Sequence, residues 1–122
     1  MNSDTTRMFD PNFLRESSEI EDDGLLLELF KEFATQLRQL QKVLAESVDS
    51  PTSMQTLTQL CHNLKSSSKE IGAFQLARSL EELEQASLNN SRQNQPLFSI
   101  TSYFVAATLS QIDTEIQLIG RK

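Results

Sequence analysis

Apolar residues in this chain recur with the period of an α-helix in four stretches, and the first of these constrains the fold most strongly. Its spacings alternate between four and three residues, the pattern of a helix that packs against other helices in a bundle. Leu25, Leu29 and Ala34 widen its apolar side. Its polar side carries charges of both signs, which favours core packing over binding to a membrane surface. The repeating residues are Leu26, Phe30, Phe33, Leu37, Leu40 and Leu44.

Local signals mark where the helices begin and end. Asp10-Pro11 and Ser50-Pro51 each place a capping residue before a proline, which is typical of a helix start. Glu21-Asp22-Asp23 puts negative charge where the helix dipole favours it, and Gly72 is suited to end a helix. The polar segment Asn89 to Gln95 is expected to be a flexible loop. The expected helices are a short one from Asp10, anchored by Phe13, Leu14 and Ile20, and long ones over about 21–48, 51–71, 73–88 and 96–119.

The last two helices show the same periodicity. In the first of them, the residues expected to face inward are Leu76, Leu80 and Leu83, and those expected to face outward are Arg78, Glu81, Glu82 and Glu84. In the second, the inward residues are Phe98, Val105, Leu109, Ile112, Ile116 and Ile119. Gly120 follows them and is expected to end the helix.

These patterns predict an all-α fold. No run of alternating apolar and polar residues indicates a strand. We expect an antiparallel up-down four-helix bundle with a short additional N-terminal helix. The 122 residues fit a single domain over residues 9–120, and residues 1–8 are expected to be a mobile lead-in.

The helix expected to follow Pro51 carries the only histidine of the chain, His62. At about 100° per residue, His62 lies about 150° from the middle of the apolar stripe of this helix. We therefore expect the imidazole to face solvent. The stripe consists of Leu57, Leu60, Cys61, Leu64, Ser68 and Ile71. The polar residues near His62 are Gln55, Thr58, Gln59, Lys65, Ser66 and Lys69.

This surrounding suits a histidine that accepts a phosphoryl group. Neutral imidazole is a nucleophile, and a phosphoryl group would bring negative charge that needs cations nearby. Lys65 lies one turn away, with about 5–6 Å between the Cβ atoms, and Lys69 lies on the same face about two turns away. Ser66 stands one turn above the ring and is short enough to leave it open.

The sequence around His62 resembles the histidine-containing phosphotransfer (HPt) domains of multistep two-component phosphorelays. The family usually has glycine four residues after its histidine, where this chain has Ser66. This difference concerns how closely a partner approaches more than the chemistry. The matching residues are His62, Leu64, Lys65, Ser67, Ser68, Gly72, Ala73, Leu76, Leu80, Leu83 and Glu84.

The resemblance implies a function and partners. His62 would accept a phosphoryl group, at Nε2, from a phospho-aspartyl receiver domain and pass it to the aspartate of another response regulator. Lys65 would neutralise charge with Lys69 as auxiliary, and Thr58, Gln59 and Ser66 would line the docking surface. The receiver, in one case that of a hybrid sensor kinase, would supply Mg²⁺. No cofactor is expected on this chain itself.

Composition and missing motifs exclude several other classes of function. A formal net charge of −6 disfavours binding to nucleic acid or anionic lipid. The single cysteine, Cys61, lies on the apolar stripe, where an inert buried thiol is expected. No segment has the length of a signal peptide core or a membrane span, so we expect a cytoplasmic protein. We also expect a monomer. Phosphate-binding loops are absent, and the helical neighbours of His62 are poor metal ligands, so we expect no nucleotide or metal site.

Two alternatives stay open from the sequence. The first is a helical adaptor that binds receivers or other signalling proteins without carrying phosphate. The second is an enzyme, such as a phosphohistidine phosphatase or an ATP-using kinase, against which the missing nucleotide-binding elements argue. We therefore expect a phosphotransfer protein whose chemistry is completed by its partners, not an enzyme.

Overall fold

A computed structural model describes residues 8–46, 51–88 and 95–121 of the chain. Within these ranges the secondary structure is helical and contains no strand, which confirms the all-α prediction. The helices are α1 (Phe13–Ser17), α2 (Asp23–Glu46), α3 (Pro51–Glu70), α4 (Phe74–Leu88) and α5 (Gln95–Gly120). Their bounds follow the sequence signals within a few residues. The loop expected over Asn89 to Gln95 lies outside the described residues except for Gln95, which begins α5.

The four long helices form a bundle in which each helix packs against two others. The most extensive contact joins α3 to α4, and α5 packs against both α2 and α4. α2 completes the arrangement by contacting α3. The expected four-helix bundle with a short additional N-terminal helix is therefore confirmed.

The alternating apolar pattern of α2 forms one side of the core. Its six repeating residues are all buried, and so is Ala34. Leu25 and Leu29 do not widen this side as expected, because their side chains are 45% and 36% exposed. At this point α2 and α3 leave an open groove between them, and Leu29 lines this groove and does not pack into the core.

The segment before α1 takes part in the core. Met8, expected to belong to a mobile lead-in, is buried, and its backbone N–H donates a hydrogen bond to Oε1 of Gln111 at 2.7 Å. Phe9 is also buried and meets the ring of Phe30 edge-on at 5.7 Å between centroids. Met8, one residue before the expected start of the domain, is therefore packed against the bundle together with Phe9.

The start of α1 differs from the expected cap at Asp10. The Asp10 carboxylate accepts a hydrogen bond from the N–H of Asn12 at 2.9 Å, and its carbonyl accepts one from the N–H of Phe13 at 3.1 Å. Asp10 thus stabilises a turn that precedes the helix. The expected anchors of α1 are only half-buried, because α1 lies on the outside of the bundle.

A tight turn at Gly72 joins α3 to α4 and sets the relative position of the two helices. Gly72 has φ +88°, a conformation that other residues rarely adopt. The Ala73 N–H donates to the carbonyl of Ser68 at 2.8 Å and closes the end of α3. The ring of Phe13 packs over this turn, where a Cβ on Gly72 would come within 2.8 Å of the Phe13 Cβ. The predicted end of α3 at Gly72 is confirmed, and an antiparallel α3–α4 hairpin results.

Candidate functional site

α3 presents His62 to solvent on the side of the α3–α4 hairpin. The side chain of His62 is 61% exposed, whereas its neighbour Cys61 and the nearby Leu64 are buried. Leu57, Ser68 and Ile71 of the expected stripe are buried as well, and Leu60 is half-buried. The orientation of the imidazole therefore agrees with the prediction from helical periodicity.

Glu84 of α4 joins His62 to Lys65 through its two carboxylate oxygens. Its Oε2 lies 2.8 Å from Nδ1 of His62, and its Oε1 accepts a hydrogen bond from Nζ of Lys65 at 2.9 Å. The side chain of Glu84 is only 9% exposed, against 20% for Lys65. A nearly buried carboxylate thus holds one ring nitrogen of an exposed histidine.

The charges of this cluster favour an ionised Glu84. The hydrogen bond from Lys65, with a smaller contribution from His62, holds the pKa of the Glu84 carboxyl below its usual value, although desolvation opposes this shift. The same bond raises the pKa of Lys65 above its ordinary value. An ionised carboxylate only accepts hydrogen bonds, so Nδ1 of His62 must carry the proton that it donates to Glu84. Neutral His62 then has its lone pair on Nε2.

Glu84 was expected to face outward, and the structure corrects this. α4 packs along α3 as well as α5, so a second stripe of the helix is covered. This stripe also has alternating spacings of four and three, but apart from Leu80 its members are small or polar, so the apolar pattern along it is weak. Its buried members are Ala73, Ala77, Leu80, Glu84 and Ser87. Glu84 lies four residues after the buried Leu80, on the same side of the helix, and this spacing is the one signal of its burial in the sequence.

Lys65 lies on the α4 side of His62, and only 20% of its side chain is exposed. The sequence places it among the polar residues near His62, and in this structure its ammonium group is bound to Glu84. Lys69, one turn further along the same side of α3, is exposed. The two expected cations therefore differ in their surroundings, and only Lys65 is part of the cluster with His62 and Glu84.

The expected docking residues surround His62 on α3. Gln59 and Ser66 are exposed, and Thr58 is half-buried. The Gln59 amide donates a hydrogen bond to Oδ1 of Asn63 at 3.2 Å along the helix surface. Ser66 stands one turn after His62, so the helix surface on that side of the ring carries only a short side chain.

A groove lies between α1, α2 and α3. It encloses about 180 Å³. Its α3 wall begins at Ser67, five residues after His62, which is roughly 7.5 Å along the helix axis. Its lining contains both apolar and polar side chains. It is lined by Leu14, Leu29, Glu32, Phe33, Gln36, Ser67, Glu70 and Ile71.

Over the described ranges, no group of three or more His, Cys, Asp and Glu side chains is arranged to hold a metal ion. None of the helices in these ranges is both long and apolar enough to cross a membrane.

Comparison with known proteins identifies the family. The Hpt domain model matches residues 24–120, which include α3, α4 and α5 and nearly all of α2. The fold is similar to the X-ray structure of a rice protein provisionally described as a histidine-containing phosphotransfer protein, with a TM-score of 0.76 and 17% identity over 96% of this chain and 85% of that one. No curated protein sequence matches this chain significantly. Because the family model covers most of the chain, including the helix hairpin that carries His62, this protein belongs to the Hpt domain family.

Proposed function

We propose that His62 accepts a phosphoryl group from the phospho-aspartate of a receiver domain and passes it to the aspartate of another response regulator. The observation that carries this proposal is the contact of 2.8 Å between Nδ1 of His62 and the Glu84 carboxylate. It supports the tautomer in which Nδ1 carries the proton and Nε2 the lone pair, on a side chain that is 61% exposed and that a large partner can reach.

The transfer step needs no proton to leave the histidine. The Nε2 lone pair forms a bond to phosphorus while the bond between phosphorus and the aspartyl oxygen breaks, and the aspartate leaves as a carboxylate. The ring then carries a positive charge, because Nδ1 keeps its proton. Glu84 faces that proton and stabilises the charge as it develops. The reverse sequence of bond changes returns the phosphoryl group to a second aspartate.

Lys65 serves both Glu84 and the incoming phosphoryl group in this proposal. A lysine ammonium has three N–H donors, and the bond to Glu84 uses one of them. A second donor can turn toward a phosphoryl oxygen on Nε2 without breaking the first bond. Lys69 adds a more distant positive charge on the exposed side. Lys65 would therefore neutralise charge in the transition state and in the phosphorylated protein.

The receiver completes the site. Phosphoryl transfer asks mainly for in-line positioning and charge neutralisation, and the receiver would bring its aspartate and Mg²⁺. Thr58, Gln59 and Ser66 would contact it around His62. The chain would then act as a carrier and not as an enzyme, and its work with receivers would place it in the cytoplasm.

The test is a mixing experiment with receiver domains from the same organism, each phosphorylated on its aspartate with labelled phosphate. We expect label on this chain that is lost in acid, stable in base and absent from His62→Gln. Exposure of the labelled chain to a second, unphosphorylated receiver should move the label onward. Binding of a receiver without any label on His62 would instead support the adaptor function and refute the relay.

A further inference from the structure

The outward face of α5 carries no charge over most of its length. From Gln93 to Ile112 the sequence contains no acidic or basic residue, although the chain has a formal net charge of −6. On this face Ile100 is 47% exposed and Tyr103 is 63% exposed. Single exposed apolar residues are ordinary. The lack of charge and the exposed aromatic side chain are two features that this face shares with the centre of a protein interface.

Large and small residues occupy opposite halves of this face. At about 100° per residue, six residues of α5 lie along one line on the outside of the helix. The bulky members are in the N-terminal half and the small ones in the C-terminal half. In chain order the line consists of Pro96, Ile100, Tyr103, Ala107, Ser110 and Thr114.

This order is complementary to itself. Suppose that two copies pair antiparallel about a two-fold axis that crosses the outward face at the level of residue 105. Tyr103 of each copy then lies opposite Ala107 of the other, and Ile100 lies opposite Ser110. Each large side chain thus meets a small one, as an isologous contact requires. A partner of different sequence would not need this symmetry.

The distribution of charge also favours a second copy of this chain as the partner of this face. Two copies of an acidic chain repel each other wherever carboxylates face carboxylates. The α5 face avoids that repulsion over its central part. Near its C-terminal end, both oxygens of Asp113 are bound by Arg38 of α2, at 2.7 and 2.8 Å. We propose that the outward face of α5 is a self-association surface, on which two copies of this chain pair antiparallel through Tyr103 and Ile100.

The size of the face indicates a weak dimer. The 18 residues from Gln95 to Ile112 span roughly 27 Å, and one pair of helices buries less than the roughly 800 Å² per partner of a standard stable interface. The monomer expected from the sequence is then the state at low concentration. Because α5 packs against α2 and α4, the dimer leaves His62 on α3 of both copies open to receivers.

Sedimentation equilibrium from about 5 µM to 1 mM, a range that covers weak affinities, tests this proposal. We expect the weight-average mass to rise from 13.8 kDa toward twice that value. Tyr103→Glu should keep the mass at 13.8 kDa over the whole range. Leu25→Glu introduces the same charge at a leucine that is 45% exposed on α2, and it should associate like the wild type. Circular dichroism melts should show that both variants remain folded.

Three results would overturn the self-association surface. They are a wild-type mass that stays at 13.8 kDa throughout, an equal loss of association in both variants, or a loss of receiver binding in Tyr103→Glu with no change in mass. The relay is tested separately. Tyr103→Glu should accept phosphate as fast as the wild type, and His62→Gln should dimerise normally, so either proposal can fail without the other.

Discussion

Replacing Glu84 by glutamine removes one charge from the His62 cluster and leaves its shape nearly unchanged. Glutamine has a single acceptor oxygen, whereas Glu84 uses two, one for Nδ1 of His62 and one for Lys65. Either Lys65 loses its partner or the amide N–H₂ turns toward Nδ1. In the second case the ring proton moves to Nε2, and the nucleophilic lone pair is lost.

The magnitude follows from the contact that disappears. A hydrogen bond to a charged group contributes about 1.5–3 kcal/mol, and the lower end applies because the His62 side chain is 61% exposed. The phosphorylated ring carries a full positive charge, so the equilibrium level of phosphohistidine should fall by about tenfold, which corresponds to about 1.4 kcal/mol. If half of that charge has developed in the transition state, forward transfer slows by only about threefold.

Two measurements on one preparation check this prediction. Rapid-quench mixing with a phosphorylated receiver gives the forward rate, and the label remaining at equilibrium gives the level of phosphohistidine. Glu82→Gln removes the same charge from an exposed position on α4 and serves as the control. If Glu84→Gln changes both quantities by less than twofold, or no more than the control does, the carboxylate does not act on His62.

Glu84→Gln should also change how the stability of the protein depends on pH. The pKa of Glu84 lies below its usual 4.5, so the stabilisation it gives is fully present above that pH and is lost as the pH falls through the lowered pKa. The pKa of Lys65 lies above its usual 10.5, so its contribution is present below that pH and is lost as the pH rises through the raised pKa. Thermal melts should therefore show a constant deficit of Glu84→Gln near neutral pH that shrinks in acid.

Four further substitutions, one of them with a matched control, test other parts of the structure. Lys65→Met keeps the aliphatic stem and removes the charge, so phosphotransfer should slow while circular dichroism at 25 °C stays unchanged; an unaltered rate would leave Lys65 without a role in transfer. Gly72→Ala should lower the free energy of unfolding, measured by denaturant titration, by about 1–3 kcal/mol, because φ at this position is +88°. The control Gly120→Ala should change this free energy little, because a Cβ there meets no atom within 4 Å. Thr108→Val should raise the melting temperature by a few degrees, because the buried Oγ1 has no hydrogen-bond partner among the described residues. Removing it should raise the free energy of unfolding by about 1 kcal/mol. A lower melting temperature would mean that the hydroxyl has a hydrogen-bond partner. Ser66→Gly should leave transfer equal or faster at a cost of a few tenths of a kcal/mol in stability, and a rate more than about tenfold lower would make Ser66 a functional residue.

Helical periodicity predicted the bundle because burial in α2, α3 and α5 depends mainly on apolar spacing. It also placed His62 correctly, since the direction of a side chain on a helix follows from its distance along the sequence to the apolar stripe. The end of α3 was predictable because the backbone at Gly72 has a positive φ that glycine adopts readily.

Contacts between elements were not predictable in this way. Glu84 is 22 residues from His62 in the chain, and only the α3–α4 packing brings them together. Leu29 was expected inside because its residue type is apolar, but the neighbouring helix leaves a groove there. Phe9 precedes the first helix signal, so periodicity does not place it in the core, yet it is buried against Phe30.

The buried Cys61 beside His62 makes this surface insensitive to oxidants. Burial, with a smaller contribution from Glu84, raises the pKa of the Cys61 thiol to about 12. The thiolate, the form that reacts with peroxides and alkylating reagents, is then rare at pH 7. Oxidative stress should therefore leave the neighbourhood of the histidine chemically intact. For the experimenter, a cysteine placed elsewhere on the surface can be labelled selectively with a maleimide dye while the native thiol stays unmodified.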